Sequence, residues 1–108
     1  SRDPQVARAY NEAPLVFWTR SVRWGTESLK TIAFIKSHTG ESNLPMLFLH
    51  GENDPLVSAP GAQHCYEQIH STDKTIHTYP AGLHEPHNDL CHEQVTSDIR
   101  AWLDHHTQ

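Results

Sequence analysis

Two residues with complementary chemistry, Asp54 and His84, each lie in a short loop that follows an apolar stretch. An aspartate that binds one nitrogen of an imidazole fixes the tautomer of the ring and stabilises its cation. The other ring nitrogen can then accept a proton from a nucleophile. If the fold brings the two side chains together, they supply the acid and the base of a nucleophilic triad.

The segments that precede the two residues are predicted to be parallel strands of one sheet. Residues 44–49 are almost wholly apolar, and residues 74–80 are rich in β-branched and aromatic side chains. A helix capped by Ser58 lies between them, which predicts a strand-helix-strand unit with a right-handed crossover. Neighbouring strands are about 4.8 Å apart. Adjacent strands, or strands one position removed, would therefore let Asp54 and His84 meet at the carboxyl edge of the sheet.

The apolar first strand also predicts the fold class. A strand without polar alternation is typical of an α/β fold whose parallel sheet is covered by helices on both faces, whereas the more polar second strand fits an edge. Three more helices are predicted. The first begins at Asp3-Pro4, the second is capped by Thr26 and stops at a left-handed Gly40, and the last is capped by Asn88 or Asp89. The second helix is expected to turn inward the stripe Leu29, Ile32, Ala33 and Lys36.

Composition excludes several classes of protein. The chain has 108 residues and a net charge of −5, with its eight Lys and Arg scattered, which argues against a nucleic-acid partner. Two cysteines, Cys65 and Cys91, are too few for a disulfide framework and are expected to be buried free thiols. No leader and no transmembrane run is visible, so we expect a cytoplasmic or peripheral membrane location. Because the first residue is Ser1, the chain is expected to be processed, trimmed or a fragment.

Two segments carry a resemblance to a known family. Residues 47–57 (Leu-Phe-Leu-His-Gly-Glu-Asn-Asp-Pro-Leu-Val) resemble the acid-bearing segment of α/β-hydrolases, and residues 79–85 (Tyr-Pro-Ala-Gly-Leu-His-Glu) resemble the histidine loop. Within that fold, the chain is similar to the lysophospholipase and monoacylglycerol lipase group, also described as serine aminopeptidase S33-like. The resemblance implies that Asp54 is the triad acid and His84 the general base. It implies that residues 1–25 end a lid and that residues 26–108 form the C-terminal part of the core.

The third member of such a triad is not found in the sequence. The nucleophile of this family lies in a Gly-x-Ser-x-Gly elbow between a strand and a helix, and the chain has no such motif. The segment around Ser42 lacks the second glycine and enters a strand at the amino edge of the sheet, so Ser42 is rejected as nucleophile. The chain is therefore expected to be the C-terminal part of a hydrolase, which needs the N-terminal part of the same hydrolase for completion.

Several alternatives remain open from sequence. Glu52 is a rival acid, although the family pattern favours Asp54. A metal site at His84, His87 and His92 is disfavoured because Pro86 interrupts the helical spacing that zinc motifs require, so no metal or other cofactor is expected. The leading hypothesis is a serine hydrolase of carboxylic esters of the monoacylglycerol or lysophospholipid type, with peripheral membrane contact through the lid. The alternatives are a noncatalytic module that needs a partner segment, and a peptidase of the same fold.

Overall fold

The computed structural model describes residues 1–107 and contains the predicted strand-helix-strand unit. Strand β1 (Met46–Gly51) pairs in parallel with strand β2 (Lys74–Tyr79), from Met46 opposite Lys74 to Gly51 opposite Tyr79. Helix α1 (Pro4–Glu12), helix α2 (Val22–His38), helix α3 (Ala59–Gln68) and helix α4 (His92–His106) complete the α/β fold. The predicted fold class, an incomplete sandwich of helices around a parallel unit, is confirmed.

Two of the predicted helix starts are confirmed. The Asp3 carboxylate accepts a hydrogen bond from the Gln5 amide at 2.8 Å, and Pro4 occupies the first turn of α1. The Ser58 hydroxyl accepts a hydrogen bond from the Gly61 amide at 3.3 Å, and Pro60 lies in the first turn of α3. Both helices therefore begin with a short polar cap and carry a proline in the first turn.

The other two predicted helix starts are wrong. Helix α2 is capped by Ser21 rather than Thr26, because the Ser21 hydroxyl accepts the Trp24 amide five residues earlier along the chain than predicted. Helix α4 follows Cys91, since residues 86–88 form a separate 3₁₀ turn and the Asp89 carboxylate is occupied by other donors.

The prediction that Gly40 is left-handed is also wrong. Gly40 lies in a 3₁₀ turn, Thr39–Glu41, which continues directly from α2, and no glycine of residues 1–107 has a positive φ. A Cβ at Gly40 would lie 3.3 Å from the Nε2 atom of His70. The absence of a side chain at this position therefore serves the close approach of His70, not a left-handed stop.

The buried core is small. Ile69, Tyr79 and Val95 are its buried apolar residues. The Tyr79 hydroxyl donates to Asp98 at 2.9 Å, which ties the end of β2 to α4. Burial raises the pKa of Tyr79, and the Asp98 carboxylate raises it further.

Helical cover on both faces of β1 is not complete within the described residues. Residues 46–50 of β1 are only half-buried, and Leu29 on the predicted inner stripe of α2 is 69% exposed. Cys65 and Cys91 are free, as predicted, but they are half-buried rather than buried. None of the described helices is long and apolar enough to cross a membrane.

Candidate active site

The carboxylate of Asp54 is held by the loop that follows β1. The Asp54 amide donates to the Gly51 carbonyl at 3.2 Å, which turns the chain sharply after the strand. Its Oδ1 atom then accepts hydrogen bonds from the amides of Leu56 at 2.8 Å and Val57 at 3.1 Å. The side chain of Asp54 is only 2% exposed, so the loop fixes one carboxylate oxygen and leaves the other, Oδ2, for a partner.

That partner is His84. Its Nδ1 atom lies 2.9 Å from the Oδ2 atom of Asp54, which is the contact that the two-strand geometry predicts. The His84 side chain is 46% exposed although its partner is almost fully buried. When Nδ1 carries the proton that it donates to Asp54, Nε2 of the neutral ring is an acceptor. The arrangement therefore offers an oriented base with an accessible ring.

Hydrogen bonds hold the carboxyl of Asp54 in its ionised form. Burial acts to raise the pKa of Asp54, but the hydrogen bonds from His84, Leu56 and Val57 outweigh burial and bring the pKa below its ordinary value. Asp54 is therefore a carboxylate at neutral pH. A carboxylate in this position can stabilise the imidazolium that forms when His84 accepts a proton.

Gly51 and Gly82 allow the two loops to touch. A Cβ at Gly51 would lie 2.2 Å from the carbonyl oxygen of Leu83, a distance that no side chain can occupy. The loops are also joined by a hydrogen bond from the Asn53 amide to the Gly82 carbonyl at 3.0 Å. The sequence shows both glycines, but their role depends on a backbone approach that no periodicity reveals.

A turn with an unusual residue leads from β2 into the histidine loop. The Gly82 amide donates to the Tyr79 carbonyl at 3.0 Å, and Ala81 between them has a φ of 58°. A turn with proline at its second position, here Pro80, and a left-handed residue at its third, here Ala81, is typical of type II, in which glycine is the usual third residue. The chain therefore accepts strain at Ala81 just ahead of His84.

His50 is a second histidine at the same carboxylate, and sequence reasoning missed it. Its Nε2 atom lies 3.1 Å from the Val57 carbonyl oxygen and 3.7 Å from Oδ2 of Asp54, and its side chain is 12% exposed. When Nε2 carries a proton, it donates a hydrogen bond to the Val57 carbonyl and so stabilises the same loop that holds Asp54. The only sequence signal was its position in the strand four residues before the acid.

Asp89 is the other residue that sequence reasoning placed wrongly. Its side chain is fully buried, and its Oδ2 atom accepts a hydrogen bond from the Leu83 amide at 3.0 Å, next to His84. The sequence prediction treated Asp89 as a helix cap. Its position five residues after His84 could have indicated that its carboxylate accepts a backbone amide of the same short loop.

The remaining sequence candidates lie elsewhere. The Glu52 carboxylate accepts a hydrogen bond from the Thr78 hydroxyl at 3.0 Å rather than contacting His84. Ser42 precedes β1 and so lies at the amino end of the sheet, opposite the carboxyl ends from which Asp54 and His84 emerge. Within residues 1–107, no three His, Cys, Asp or Glu side chains are grouped to hold a metal ion.

A cleft opens beside His84 and Glu85. Its volume is about 700 Å³, and α1 and the segment between α1 and α2 supply most of its walls. Tyr10 and Trp18 pack edge to face within it, with ring centroids 5.7 Å apart. Aromatic residues that follow α1 therefore line a space next to His84. The lining residues on that side include Val6, Tyr10, Trp18 and Trp24.

Comparisons with solved structures show which fold this is. The chain superposes on the crystal structure of Paleococcus ferrophilus monoacylglycerol lipase with a TM-score of 0.87 and 24% sequence identity, covering 96% of this chain and 41% of that one. An α/β-hydrolase fold is therefore shared over nearly the whole of this chain.

Sequence relatives agree. The monoglyceride lipase of Mus musculus is 30% identical over 108 residues, and the match covers 97% of this chain and 36% of the lipase. The monoacylglycerol lipase of Mycolicibacterium smegmatis is 26% identical, with 98% and 38% covered. The chain thus spans well under half the length of these relatives. Residues 1–91 match the family model described as serine aminopeptidase, S33. The chain belongs to this family of α/β-hydrolases, as its acid and histidine loops suggested.

Proposed function

We propose that the polypeptide containing this chain is a serine hydrolase of carboxylic esters, of the monoacylglycerol or lysophospholipid type. The observation that carries the proposal is the 2.9 Å contact between Nδ1 of His84 and Oδ2 of Asp54. The names of the relatives, monoglyceride lipase and monoacylglycerol lipase, support the ester substrate. The apolar and aromatic cleft beside His84 suits an acyl chain.

In the proposed mechanism, a serine from outside these 108 residues attacks the ester carbonyl. His84 accepts the proton of the serine hydroxyl at Nε2 while Asp54 holds Nδ1 and stabilises the imidazolium. His84 then returns the proton to the leaving alcohol. In the second half, His84 takes a proton from the water that attacks the acyl-serine, then donates this proton to the serine oxygen as the acyl bond breaks, so that the carboxylic acid leaves and the serine hydroxyl is restored. No metal or other cofactor takes part.

The same proposal assigns roles to the two parts of the chain. Residues 1–25 end a lid, since they supply most of the cleft wall beside His84, and residues 26–108 belong to the hydrolase core. The aromatic side chains Phe17 and Trp18, which are 71% and 69% exposed, would give the lid its contact with a membrane surface or with lipid substrate. The N-terminal part of the same hydrolase would cover α2 and supply the serine.

The test uses the full-length natural polypeptide that contains this chain. We expect a fluorophosphonate probe to label one serine in an upstream Gly-x-Ser-x-Gly motif, and monoacylglycerol to be hydrolysed. His84→Gln should abolish hydrolysis, whereas His87→Gln, an exposed neighbour, should leave it unchanged. Absence of any upstream elbow serine would defeat the triad proposal.

A peptidase is the second candidate, because the matching family is described as a serine aminopeptidase. The same acid and base would serve amide cleavage, with His84 protonating a leaving amine. Parallel assays with a monoacylglycerol and with an aminoacyl amide separate the two. A higher kcat/KM for the amide would replace the ester proposal while leaving the roles of Asp54 and His84 in place. No turnover of either substrate would favour a noncatalytic module.

A further inference from the structure

Asp89 is the most completely bonded carboxylate among the described residues. Its side chain is fully buried, and its two oxygens accept four hydrogen bonds. The donors are the Arg2 amide at 3.0 Å, the Arg2 Nε atom at 3.0 Å, the Leu83 amide at 3.0 Å and the Leu90 amide at 2.7 Å. A helix cap needs far fewer donors than this, so the environment of Asp89 calls for another explanation.

The donors come from two parts of the proposed site. Oδ2 holds the amide of Leu83, the residue directly before His84. Oδ1 holds Arg2, the residue directly before Asp3, which caps α1. Helix α1 in turn supplies Val6 and Tyr10 to the cleft beside His84. One carboxylate therefore joins the backbone of the base to the wall of the cleft.

We infer that Asp89 is a positioning residue that fixes the His84 loop and the α1 wall of the substrate cleft in one relative geometry. The inference rests on the proposed function, because it assigns to Asp89 the alignment of the base with bound substrate. It goes beyond that function, since Asp89 is fully buried, does not line the cleft and makes no hydrogen bond to His84.

A carboxylate is needed at position 89 because both of its oxygens accept hydrogen bonds. Asparagine has the same shape, but its single acceptor oxygen cannot serve both the Leu83 amide and the Arg2 group, and its amide would face one of these donors. Burial acts to raise the pKa of Asp89, yet the hydrogen bonds from Leu83, Leu90 and Arg2 bring the pKa well below its ordinary range. Asp89 is therefore ionised at neutral pH.

The experiment compares Asp89→Asn with Arg2→Met in the full-length natural polypeptide, using monoacylglycerol hydrolysis and the carboxyl titration of ¹³C-labelled aspartate. Asp89→Asn should lower kcat about 100-fold, since a misplacement of about 1 Å at a reacting group has this cost. It should also return the pKa of Asp54 toward its ordinary value, because the contact with His84 loosens. Arg2→Met keeps the Leu83 bond, so it should raise KM and leave both kcat and the Asp54 pKa near their wild-type values.

Asp73→Asn is the matched control. Asp73 binds His106 at 2.9 Å and ties the start of β2 to the end of α4, at the opposite end of the sheet. It should lower the melting temperature without changing kcat or the pKa of Asp54. If Asp89→Asn behaves like this control, with either quantity unchanged, Asp89 is merely structural and the inference is overturned.

Two further readouts keep the inference testable. If Asp89→Asn does not fold, hydrogen exchange of the wild-type protein decides: a protected Leu83 amide supports the inference, and rapid exchange of that amide overturns it. If the wild-type protein hydrolyses no ester, the proposed function fails. The Asp54 titration in wild type and Asp89→Asn still decides whether Asp89 positions the His84 loop.

Discussion

The loops at the carboxyl edge of the sheet are held by many hydrogen bonds, whereas helix α2 leaves its apolar side chains exposed. The loops, residues 51–57 and 80–89, hold two carboxylates, Asp54 and Asp89, whose oxygens are filled by nearby donors. Helix α2 is the longest helix of the described chain at 17 residues, yet none of its residues is buried. Its apolar side chains Leu29, Phe34 and Ile35 are 69%, 61% and 51% exposed.

The difference lies in where the stabilising partners of each region are found. Backbone amides a few residues away satisfy part of each loop carboxylate, and the remaining donors, Arg2 and His84, also belong to this chain, so the site can be specified by the chain that carries it. An apolar helix face is stabilised only by surface from elsewhere in the fold. Since the chain spans 36% of the mouse relative, α2 is the region where the remaining fold would be needed most. The carboxyl-edge loops can therefore hold their side chains in place while the apolar side chains of α2 stay exposed.

The largest expected effect comes from removing the charge at the centre of the loops. Asp54→Asn should lower kcat for ester hydrolysis by about 10⁴-fold in the full-length polypeptide, because the amide no longer fixes the tautomer of His84 or stabilises its cation. Steady-state kinetics with a monoacylglycerol measures the change. The fold should persist, since the amide oxygen can still accept from the Leu56 and Val57 amides.

The rival acid supplies the control for this experiment. Glu52→Gln removes a carboxylate from the same loop, but that carboxylate binds the Thr78 hydroxyl and does not reach His84. Its kcat should match that of the wild type. A loss in Glu52→Gln that equals the loss in Asp54→Asn would contradict the assignment of Asp54 as the acid.

Gly51→Ala is expected to break the contact between the two loops. Its Cβ would lie 2.2 Å from the Leu83 carbonyl oxygen and 2.4 Å from Gly82, both backbone positions, so the histidine loop must move. We expect a loss of about 3 kcal/mol in the free energy of unfolding, at the upper end for overpacking. Urea denaturation measures this loss, and a histidine loop that moves should also reduce ester hydrolysis.

Gly61→Ala is the matched control for Gly51→Ala. Gly61 lies in α3, and its Cβ would meet its nearest neighbour, the Ser58 Cβ, at an ordinary 3.6 Å. Alanine there should stabilise the protein by about 0.5 kcal/mol. Equal losses from the two substitutions would mean that the close approach at Gly51 does not hold the loops together.

The buried carboxylates predict sensitivity to acid. Both Asp54 and Asp89 have a pKa lowered in the folded protein, so their stabilisation is present above the ordinary aspartate pKa and is lost as pH falls through the folded values. Unfolding free energy should therefore drop between about pH 5 and pH 2. In Asp89→Asn, the slope of the unfolding free energy against pH should correspond to the uptake of about one proton fewer on unfolding than in the wild type.

An exposed pair tests whether the acid effect belongs to these loops. Asp104, 66% exposed, lies 3.6 Å from Arg100 on the surface of α4. Asp104→Asn should leave the slope of stability against pH unchanged, because exposed ion pairs contribute little. A slope that is equal in wild type and Asp89→Asn would mean that Asp89 takes up its proton at an ordinary pH in the folded protein.

Sequence reasoning succeeded where local rules decide the structure. The strand-helix-strand order and the caps at Asp3 and Ser58 follow from propensity and short-range hydrogen bonds. The meeting of Asp54 with His84 follows from the parallel topology, since both strands end at one edge. Their catalytic roles stay predictions that the mutants above would test.

Sequence reasoning failed where a residue serves a contact that is distant along the chain. Asp89 looked like a helix cap, but Arg2, 87 residues away along the chain, binds one of its oxygens. Gly40 looked like a helix stop, but His70 approaches it instead. The stripe of α2 looked buried because apolar periodicity predicts which face turns inward, and it carries no information on whether a partner surface is present.

Substitution of Gly25 has a small expected effect and probes α2 itself. A Cβ at Gly25 would meet nothing within 4 Å among the described residues, and the position lies inside a regular helix. Gly25→Ala should therefore stabilise the protein by about 0.5–1 kcal/mol through the lower entropy of the unfolded chain. Thermal unfolding of the full-length polypeptide measures this gain. A loss of stability instead would mean that another segment packs directly on Gly25. In that case the backbone of α2, and not only its apolar side chains, would depend on surface from elsewhere in the fold, in contrast to the loops that hold Asp54 and Asp89.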